Sequence, residues 1–299
     1  MNYLLHLLIY LSIYAVLAAS LNIIVGYCGL LTLAHAGYFA VGAYAYALVT
    51  LTLGWGFIPA TVVGVVVAAI LSLMVSLPAW RLRDDFFIMA TLAVQVLLYS
   101  AIYNWHSPGT PPGTWLNLTN GPFGIPGVSR PAIAGIQFAT IGRMALLSVV
   151  VAAVCLLVCW LLLSSPWGRV LQAMRDDELA ARGLGKNTRR LKVEAVAVGC
   201  GLAAVAGAMY GSYVRYVDPS LASLDMAILL LCMVIVGGVG NFRGPLVGAA
   251  ILLAIPELLR FLRLPDTMAA EIRLMAYGLL LVVMMHVRPQ GVAGSYRIG

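Results

Sequence analysis

The stretch SPWGRVLQAMRDDELAARGLGKNTRRLKVE, residues 165–194, is a charged island between two long apolar segments. It holds 7 of the 18 Lys and Arg residues of the chain and 4 of its 11 Asp and Glu residues. The whole chain of 299 residues is 62% hydrophobic and only 10% charged. Its apolar runs are continuous, and a membrane-spanning helix needs about 20 such residues. The sequence therefore predicts an all-α polytopic membrane protein with a polar segment between spans.

The apolar runs predict about nine transmembrane helices, some broken by Gly, within one domain of residues 1–299. The expected spans are 3–25, 30–53, 57–80, 86–103, 143–164, 193–214, 224–240, 245–262 and 272–288. The first run is interpreted as a span rather than a signal peptide, because no basic segment precedes it and no polar domain follows it. The five Cys lie in or beside apolar runs, which favours packing over disulfides or metal ligands.

The distribution of basic residues predicts the orientation in the membrane. Loops on the cytoplasmic side usually carry the excess of Lys and Arg. Placing the charged island inside puts 12 of the 18 basic residues on the cytoplasmic side. This predicts an outside N-terminus, a cytoplasmic loop at 165–194 and a long external loop at 104–142. For the external loop, a docking surface for a partner and a simple connector both remain open.

No motif for catalysis is visible in the sequence. The four His are scattered without metal-ligand spacing, and the chain has neither a nucleophile elbow nor a phosphate-binding P-loop. We therefore expect no catalytic residue, metal or cofactor. No basic patch is interleaved with aromatic residues, so nucleic acid is not expected, and the net charge of +7 indicates contact with anionic membrane lipid. A stand-alone channel or secondary carrier is disfavoured, because the spans hold almost no ionisable residue.

Glycine residues punctuate two regions in opposite halves of the chain, around 26–42 and 237–248. Small residues let helix backbones approach closely. Gly-broken helices also line transport paths in other membrane proteins. The candidates for a substrate pathway, some from each region, are Thr32, His35, Gly37, Gly237, Gly238 and Gly240. Close packing of helices, and a local structural hydrogen bond for His35, remain alternatives.

The charged island is predicted to form one amphipathic helix over about 168–182, ended by Gly183 and Gly185. On such a helix Leu171, Met174 and Leu179 fall near one face. The acids at 176–178 can pair with arginines at helical spacing. A solvated helix at the headgroups and a helix inserted into a groove of a protein partner are both compatible with this pattern.

Five blocks in the chain together resemble a known family of transporter subunits. They are GYCGLLTLAHAGYFAVGAY at 26–44, RLRDDFFIMATLA at 81–93, TNGPFGIPGV at 119–128, ELAARGLG at 178–185 and IVGGVGNFRGPLVGA at 235–249. In this order they resemble the LivM-type permeases of branched-chain amino acid ABC importers. Departures from the usual pattern are Thr32 for Ser, Ala34 for Gly, Asp84 for Gly and Asn120 for Gly.

The resemblance implies a permease subunit in the bacterial inner membrane, paired with a LivH-type permease. Two cytoplasmic ATP-binding subunits would hydrolyse ATP, so the chain itself would not be an enzyme. A periplasmic solute-binding protein would deliver the substrate, expected to be a branched-chain amino acid, with urea or short amides as alternatives. A coupling helix at about 175–185 would engage the ATPases, and its expected residues are Arg175, Asp176, Asp177, Glu178, Ala180, Ala181 and Gly185.

Overall fold

A computed structural model describes residues 2–79, 84–133, 136–261, 266–288 and 290–294. Eleven α-helices account for most of these ranges. They are α1 (Asn2–Asn22), α2 (His35–Thr52), α3 (Phe57–Ala79), α4 (Asp84–Asn104), α5 (Ile141–Ser164), α6 (Pro166–Asp176), α7 (Glu178–Gly183), α8 (Thr188–Val214), α9 (Leu224–Gly237), α10 (Gly244–Phe261) and α11 (Asp266–Val287). A π-helical segment, Ile23–Tyr27, continues α1. Four two-residue strands pair as β1 (Ile125–Pro126) with β4 (Tyr216–Val217), and β2 (Ala132–Ile133) with β3 (Ile136–Gln137).

The structure confirms an all-helical polytopic membrane protein. Nine of the helices described lie where spans were predicted, and the other two, α6 and α7, lie within the charged island. Within the described ranges, five apolar segments are long enough to cross a membrane: Asn2–Tyr27, Phe57–Met74, Phe86–Asn104, Ile141–Ser164 and Thr188–Val214. The remaining helices are shorter or more polar, so the number nine stays a prediction.

The centre of the bundle is the contact between α2 and α8. Phe39 and Tyr46 of α2 are fully buried there. Close approach depends on glycine: a Cβ on Gly42 would overlap the backbone of Ala204, and one on Gly207 would overlap the carbonyl oxygen of Phe39. Backbones can approach this closely only where a side chain is missing. The close-packing interpretation of the first glycine-rich region is thus confirmed at Gly42.

The bundle has two distinct ends, named here after two arginines. At the Arg175 end, α1 finishes beside α6 and beside the turn between α9 and α10. At the opposite, Arg215 end, β1 pairs with β4 and so joins the 104–142 loop to the end of α8. The loops at 104–142 and 165–194 therefore lie at opposite ends of the bundle.

The 104–142 loop has a defined internal structure in its described residues. The indole nitrogen of Trp105 donates to the carbonyl oxygen of Trp115 at 2.8 Å, and the two rings meet edge to face. Thr119 donates to the carbonyl oxygen of Ile102 at 2.6 Å, which ties the loop to α4. Asn120 adopts a left-handed backbone with φ 60°. Asparagine tolerates this conformation better than most residues, which explains why it can stand at a position where glycine is usual.

Candidate functional site

The charged island forms two helices, so the prediction of one helix over 168–182 is wrong. α6 ends at Asp176 and α7 begins at Glu178, with Asp177 between them in an extended conformation (φ −154°, ψ 103°). The Asp177 carboxylate accepts a hydrogen bond from the backbone N–H of Ala180 at 2.9 Å. Asp is a preferred N-cap because it satisfies a free N–H of the first turn. The cap therefore starts a new helix and turns its direction.

One face of α6 is packed into the bundle. Leu171 and Met174 are buried, and Gly168 lies so close to the backbone of Leu163 that a side chain would not fit. The indole nitrogen of Trp167 donates to a carboxylate oxygen of Glu194 at 3.1 Å. These contacts join α6 to the end of α5 and the start of α8, so that α6 is held by the membrane helices.

Arg175 connects α6 to the point where α1 loses its regular hydrogen bonding. Its guanidinium donates to the carbonyl oxygen of Gly26 at 2.5 Å and to the carboxylate of Asp176 at 3.0 Å. The side chain is only 10% exposed. At Gly29, which has φ +76°, an added Cβ would come within 2.7 Å of the Cγ of Arg175. This arginine therefore faces the interior, against the π-helical segment Ile23–Tyr27; such segments are frequent at functional sites.

Glu178 ties α7 to α8. Its carboxylate accepts hydrogen bonds from Arg182 at 2.7 Å and from Lys192 at 2.9 Å. Partial burial acts to raise the pKa of Glu178, but the hydrogen bonds from Lys192 and Thr188 and the charges of Lys192 and Arg182 outweigh it and hold the pKa below its ordinary value. The carboxylate therefore stays ionised at neutral pH, and α7 keeps a fixed position on α8.

The outer surface of α7 and the following turn carries two exposed leucines among charged residues. Leu179 is 77% exposed and Leu184 is 80% exposed. The expectation that Leu179 shares a face with Leu171 and Met174 is wrong, because the break at Asp177 turns α7 away from α6. Single exposed apolar side chains are normal, whereas neighbouring ones indicate an interaction surface. We refer to Leu179, Ala180 and Leu184 as the α7 face.

The residues predicted for ATPase coupling fall into two groups. Asp176, Asp177, Ala180 and Gly185 are exposed, whereas Ala181 is buried and Glu178 is half-buried. Arg175 belongs to the inner group, since its guanidinium reaches Gly26. The sequence interpretation missed Leu184 and assigned Leu179 to the wrong face. Their exposure depends on the N-cap at Asp177. Three acids stand in a row at 176–178, so the sequence did not show which of them caps a helix.

The start of α2 holds three of the residues predicted for a substrate pathway. His35 is 2% exposed, and its Nε2 lies 2.9 Å from the hydroxyl of Ser20 on α1. Thr32 and His35 line the same small cavity of about 10 Å³. The backbone N–H of Gly37 donates to the side chain of Gln95 at 2.8 Å. These residues form a packed polar layer at the junction of α1, α2 and α4.

Gln95 is a buried polar residue that the sequence analysis did not select. Its amide nitrogen donates to the carbonyl oxygen of Ala222 at 2.6 Å, while its amide oxygen accepts from Gly37. The side chain thus bridges the start of α2 and the segment before α9 from its place on α4. The signal was a lone amide in an apolar span. Its partners lie 58 and 127 residues away, which is why the sequence does not show them.

We expect Gln95→Leu to destabilise the protein by about 1–3 kcal/mol, because it removes the amide donor to the carbonyl oxygen of Ala222. The N–H of Gly37 loses its shorter hydrogen bond and keeps the one to the carbonyl oxygen of Ala34 at 3.1 Å. Thermal unfolding in detergent, followed by tryptophan fluorescence, measures the effect. Gln95→Glu is a second variant, because its side chain keeps an acceptor for the N–H of Gly37 but loses the amide donor to Ala222. A melting temperature unchanged in Gln95→Leu would show that the bridge contributes nothing.

The other three predicted pathway residues lie at the turn between α9 and α10. Gly237 packs against the backbone of Gly244, and Gly238 has φ +118°. The backbone N–H of Gly240 donates to the side-chain oxygen of Asn22 at 3.1 Å. Asn22 therefore links this turn to the end of α1. The six residues form two groups, one at the start of α2 and one at this turn, and their role in a pathway stays a prediction.

Comparison with known proteins identifies relatives over almost the entire chain. A family model described as "Branched-chain amino acid transport system / permease component" matches residues 3–285. The chain is similar to the high-affinity branched-chain amino acid transport permease LivM of Escherichia coli, with 28% identity over 93% of this chain and 67% of the relative. A probable branched-chain amino acid transport permease LivM of Methanocaldococcus jannaschii is 25% identical over 95% of this chain and 91% of its own. The solved structure of PsaBC from Streptococcus pneumoniae in complex with Fab shares 14% identity, covers 95% of this chain and 91% of its own, and has a TM-score of 0.47.

Proposed function

The chain belongs to the family of permease components of branched-chain amino acid transport systems, and we propose that it forms one half of a channel for hydrophobic amino acids. It is a permease subunit of an ABC importer. In the proposed assembly a LivH-type permease supplies the other half of the channel in the bacterial inner membrane. Two cytoplasmic ATP-binding subunits and a periplasmic solute-binding protein complete the importer.

The main support for this proposal is the exposed α7 face, which lies close in sequence to Arg175, an arginine whose side chain points into the bundle. Two leucines that are 77% and 80% exposed flank the small Ala180 on a helix that is fixed to α8 through Glu178. Such a short, rigid apolar projection suits insertion into a groove on another protein. We assign the α7 face as the surface that an ATP-binding subunit takes up. The 165–194 loop is then cytoplasmic.

Arg175 connects the helices of the charged island to the membrane-spanning helix α1. A displacement of α6 and α7 would pull on the carbonyl oxygen of Gly26 through a bond of 2.5 Å. The π-helical segment that contains Gly26 leads through Leu30 and Thr32 to the start of α2 at His35. Broken helices of this kind are able to tilt without unfolding their neighbours. We propose that ATP-driven movement of α7 reaches the pathway region in this way.

The substrate assignment rests on the relatives and on the polarity of the chain. The named relatives transport branched-chain amino acids, and the spans of this chain are almost free of ionisable residues. A path with few charges suits a solute with an apolar side chain. The departures at Thr32 and Ala34 keep urea and short amides as the alternative within the same family.

The 104–142 loop is the proposed docking surface for the binding protein. Trp115, Leu116 and Phe123 are between 66% and 78% exposed. Their loop is held in place by hydrogen bonds to α4 and by β1 pairing with β4. Large apolar side chains on a rigid loop are typical of a recognition surface. The loop lies at the end of the bundle opposite the α7 face, as delivery from outside requires.

Uptake of labelled leucine into proteoliposomes tests this function. The vesicles hold this chain, its partner permease and both ATPases, and uptake is measured with and without ATP and the binding protein. We expect uptake only when ATP and the binding protein are both present, and competition by isoleucine and valine but not by urea. Uptake by this chain alone, indifferent to ATP, would instead indicate a channel or a carrier.

A further inference from the structure

A cavity of about 140 Å³ lies at the Arg215 end, between α1, the start of α5 and the end of α8. Basic and hydroxyl side chains form much of its wall: His6, Arg130, Thr140, Ser212, Tyr213 and Arg215. No Asp or Glu is among its described lining residues. His6 and Tyr213 hydrogen-bond to each other at its rim. The hydroxyl of Ser212 donates to the carbonyl oxygen of Met209, so the two arginines are the main polar groups left for a ligand. The cavity is therefore cationic.

Among the described residues each arginine makes one side-chain hydrogen bond, to a backbone carbonyl oxygen. Arg130 donates to the carbonyl oxygen of Ala139 at 2.6 Å, and Arg215 donates to that of Val128 at 3.3 Å. A guanidinium carries five N–H donors in a rigid fork, which suits a carboxylate or a phosphate. The four ion pairs within the described ranges all lie between residues 175 and 194, so they involve neither arginine.

The backbone of Arg215 is a second sign of function at this cavity. The residue caps the end of α8 in the left-handed region, with φ 61° and ψ 19°. Glycine is the usual residue there, because other side chains are strained in this conformation. Strained residues of this kind cluster at binding sites.

The position of the cavity along α5 is the basis for assigning its ligand. α5 has 24 residues and is about 36 Å long, while the hydrocarbon core is about 30 Å thick. The first turn of α5, beside the cavity, therefore reaches the level of the lipid headgroups. Below it α5 exposes an apolar surface to the surroundings through Leu146, Val150 and Val154. Because α5 packs mainly against α1, this surface lies at the edge of the bundle.

We propose that this cavity binds the phosphate group of an anionic membrane lipid, with Arg130 and Arg215 as its two cationic partners. The acyl chains of the lipid lie along the exposed apolar surface of α5. Because Arg130 belongs to the 104–142 loop and Arg215 to the end of α8, the phosphate joins these two elements. The lipid thereby steadies the loop at its junction with the bundle.

Native mass spectrometry of the full-length chain in detergent tests the proposal, with phosphatidylglycerol or phosphatidylcholine of identical acyl chains added. We expect phosphatidylglycerol to bind more tightly. Arg130→Gln and Arg215→Gly should each weaken that binding about tenfold, since each removes a charge-assisted hydrogen bond. Arg215→Gly suits the backbone conformation, so its melting temperature should not fall. Arg143→Gln removes an exposed arginine of α5 that does not line the cavity, and it should change binding less than about twofold.

Any of four results would overturn the proposal. Equal binding of the two lipids, or binding unaffected by Arg130→Gln and Arg215→Gly, would show that the cavity is not a lipid-phosphate site. Displacement of phosphatidylglycerol by millimolar inorganic phosphate would identify a site for a free anion. Arginine-dependent cross-linking to an acidic segment of the binding protein, with no lipid preference, would assign the cavity to that partner instead.

Discussion

Replacing both exposed leucines of the α7 face with glutamate, as Leu179→Glu with Leu184→Glu, is expected to abolish transport. Both side chains are more than three-quarters exposed, so the substitutions cost the folded chain little. In the assembled importer each would bring a charge into an apolar contact, at about 2 kcal/mol or more per residue. For the two substitutions together we predict that the ATP-binding subunits associate at least about a hundredfold more weakly. Co-purification of the ATPases and leucine uptake are the measurements.

Leu116→Glu provides the matched control for this pair. It makes the same chemical change at a leucine that is 66% exposed, in the loop at the opposite end of the bundle. Association with the ATPases should be unchanged in this variant. Wild-type ATPase association in the double variant would mean that the α7 face is not their docking surface.

Arg175→Leu is expected to separate ATP hydrolysis from transport. Leucine keeps apolar contact near Gly29, but it removes the bond to the carbonyl oxygen of Gly26. The α7 face is untouched, so the ATPases should still bind. Without the guanidinium, movement of α6 no longer pulls on the π-helical segment after α1. We predict that uptake falls at least about tenfold, while stability falls by about 1–3 kcal/mol, the cost of an unsatisfied buried partner.

Arg190→Leu is the control for Arg175→Leu. Arg190 lies fifteen residues further along the same loop, but its side chain is 78% exposed and pairs with Glu194 at the surface. Surface ion pairs contribute about 0–1 kcal/mol, so this variant should transport within about twofold of wild type. If both variants lost uptake equally, the effect would belong to the charge of the loop rather than to the contact with Gly26.

The sequence predicts those parts of the fold that depend on local composition. The continuous apolar run of α5 follows from residues that are near one another in the chain. The break at Asp177 was missed, because the spacing of Leu171, Met174 and Leu179 imitates one continuous helix. The helix is interrupted by one N-cap hydrogen bond from the backbone to Asp177, and the spacing of apolar residues does not reveal such a bond.

At the candidate site, the sequence analysis could not predict contacts between residues that are far apart in the chain. The bond between Arg175 and Gly26 joins residues 149 positions apart. The side chain of Arg175 therefore points into the bundle, and its part in coupling stays a prediction. His35 was assigned either a pathway role or a local hydrogen bond, and its partner is Ser20 on a different helix. Such pairs depend on how helices cross, which one sequence does not encode in an obvious pattern.

The ratio of leucine transported to ATP hydrolysed, in proteoliposomes holding the complete importer with Arg175→Leu, tests the central claim most directly. If α7 receives the movement of the ATPases and Arg175 passes it to the segment after α1, hydrolysis continues while the ratio falls at least about tenfold. A ratio equal to that of wild type, with both activities retained, would contradict the account.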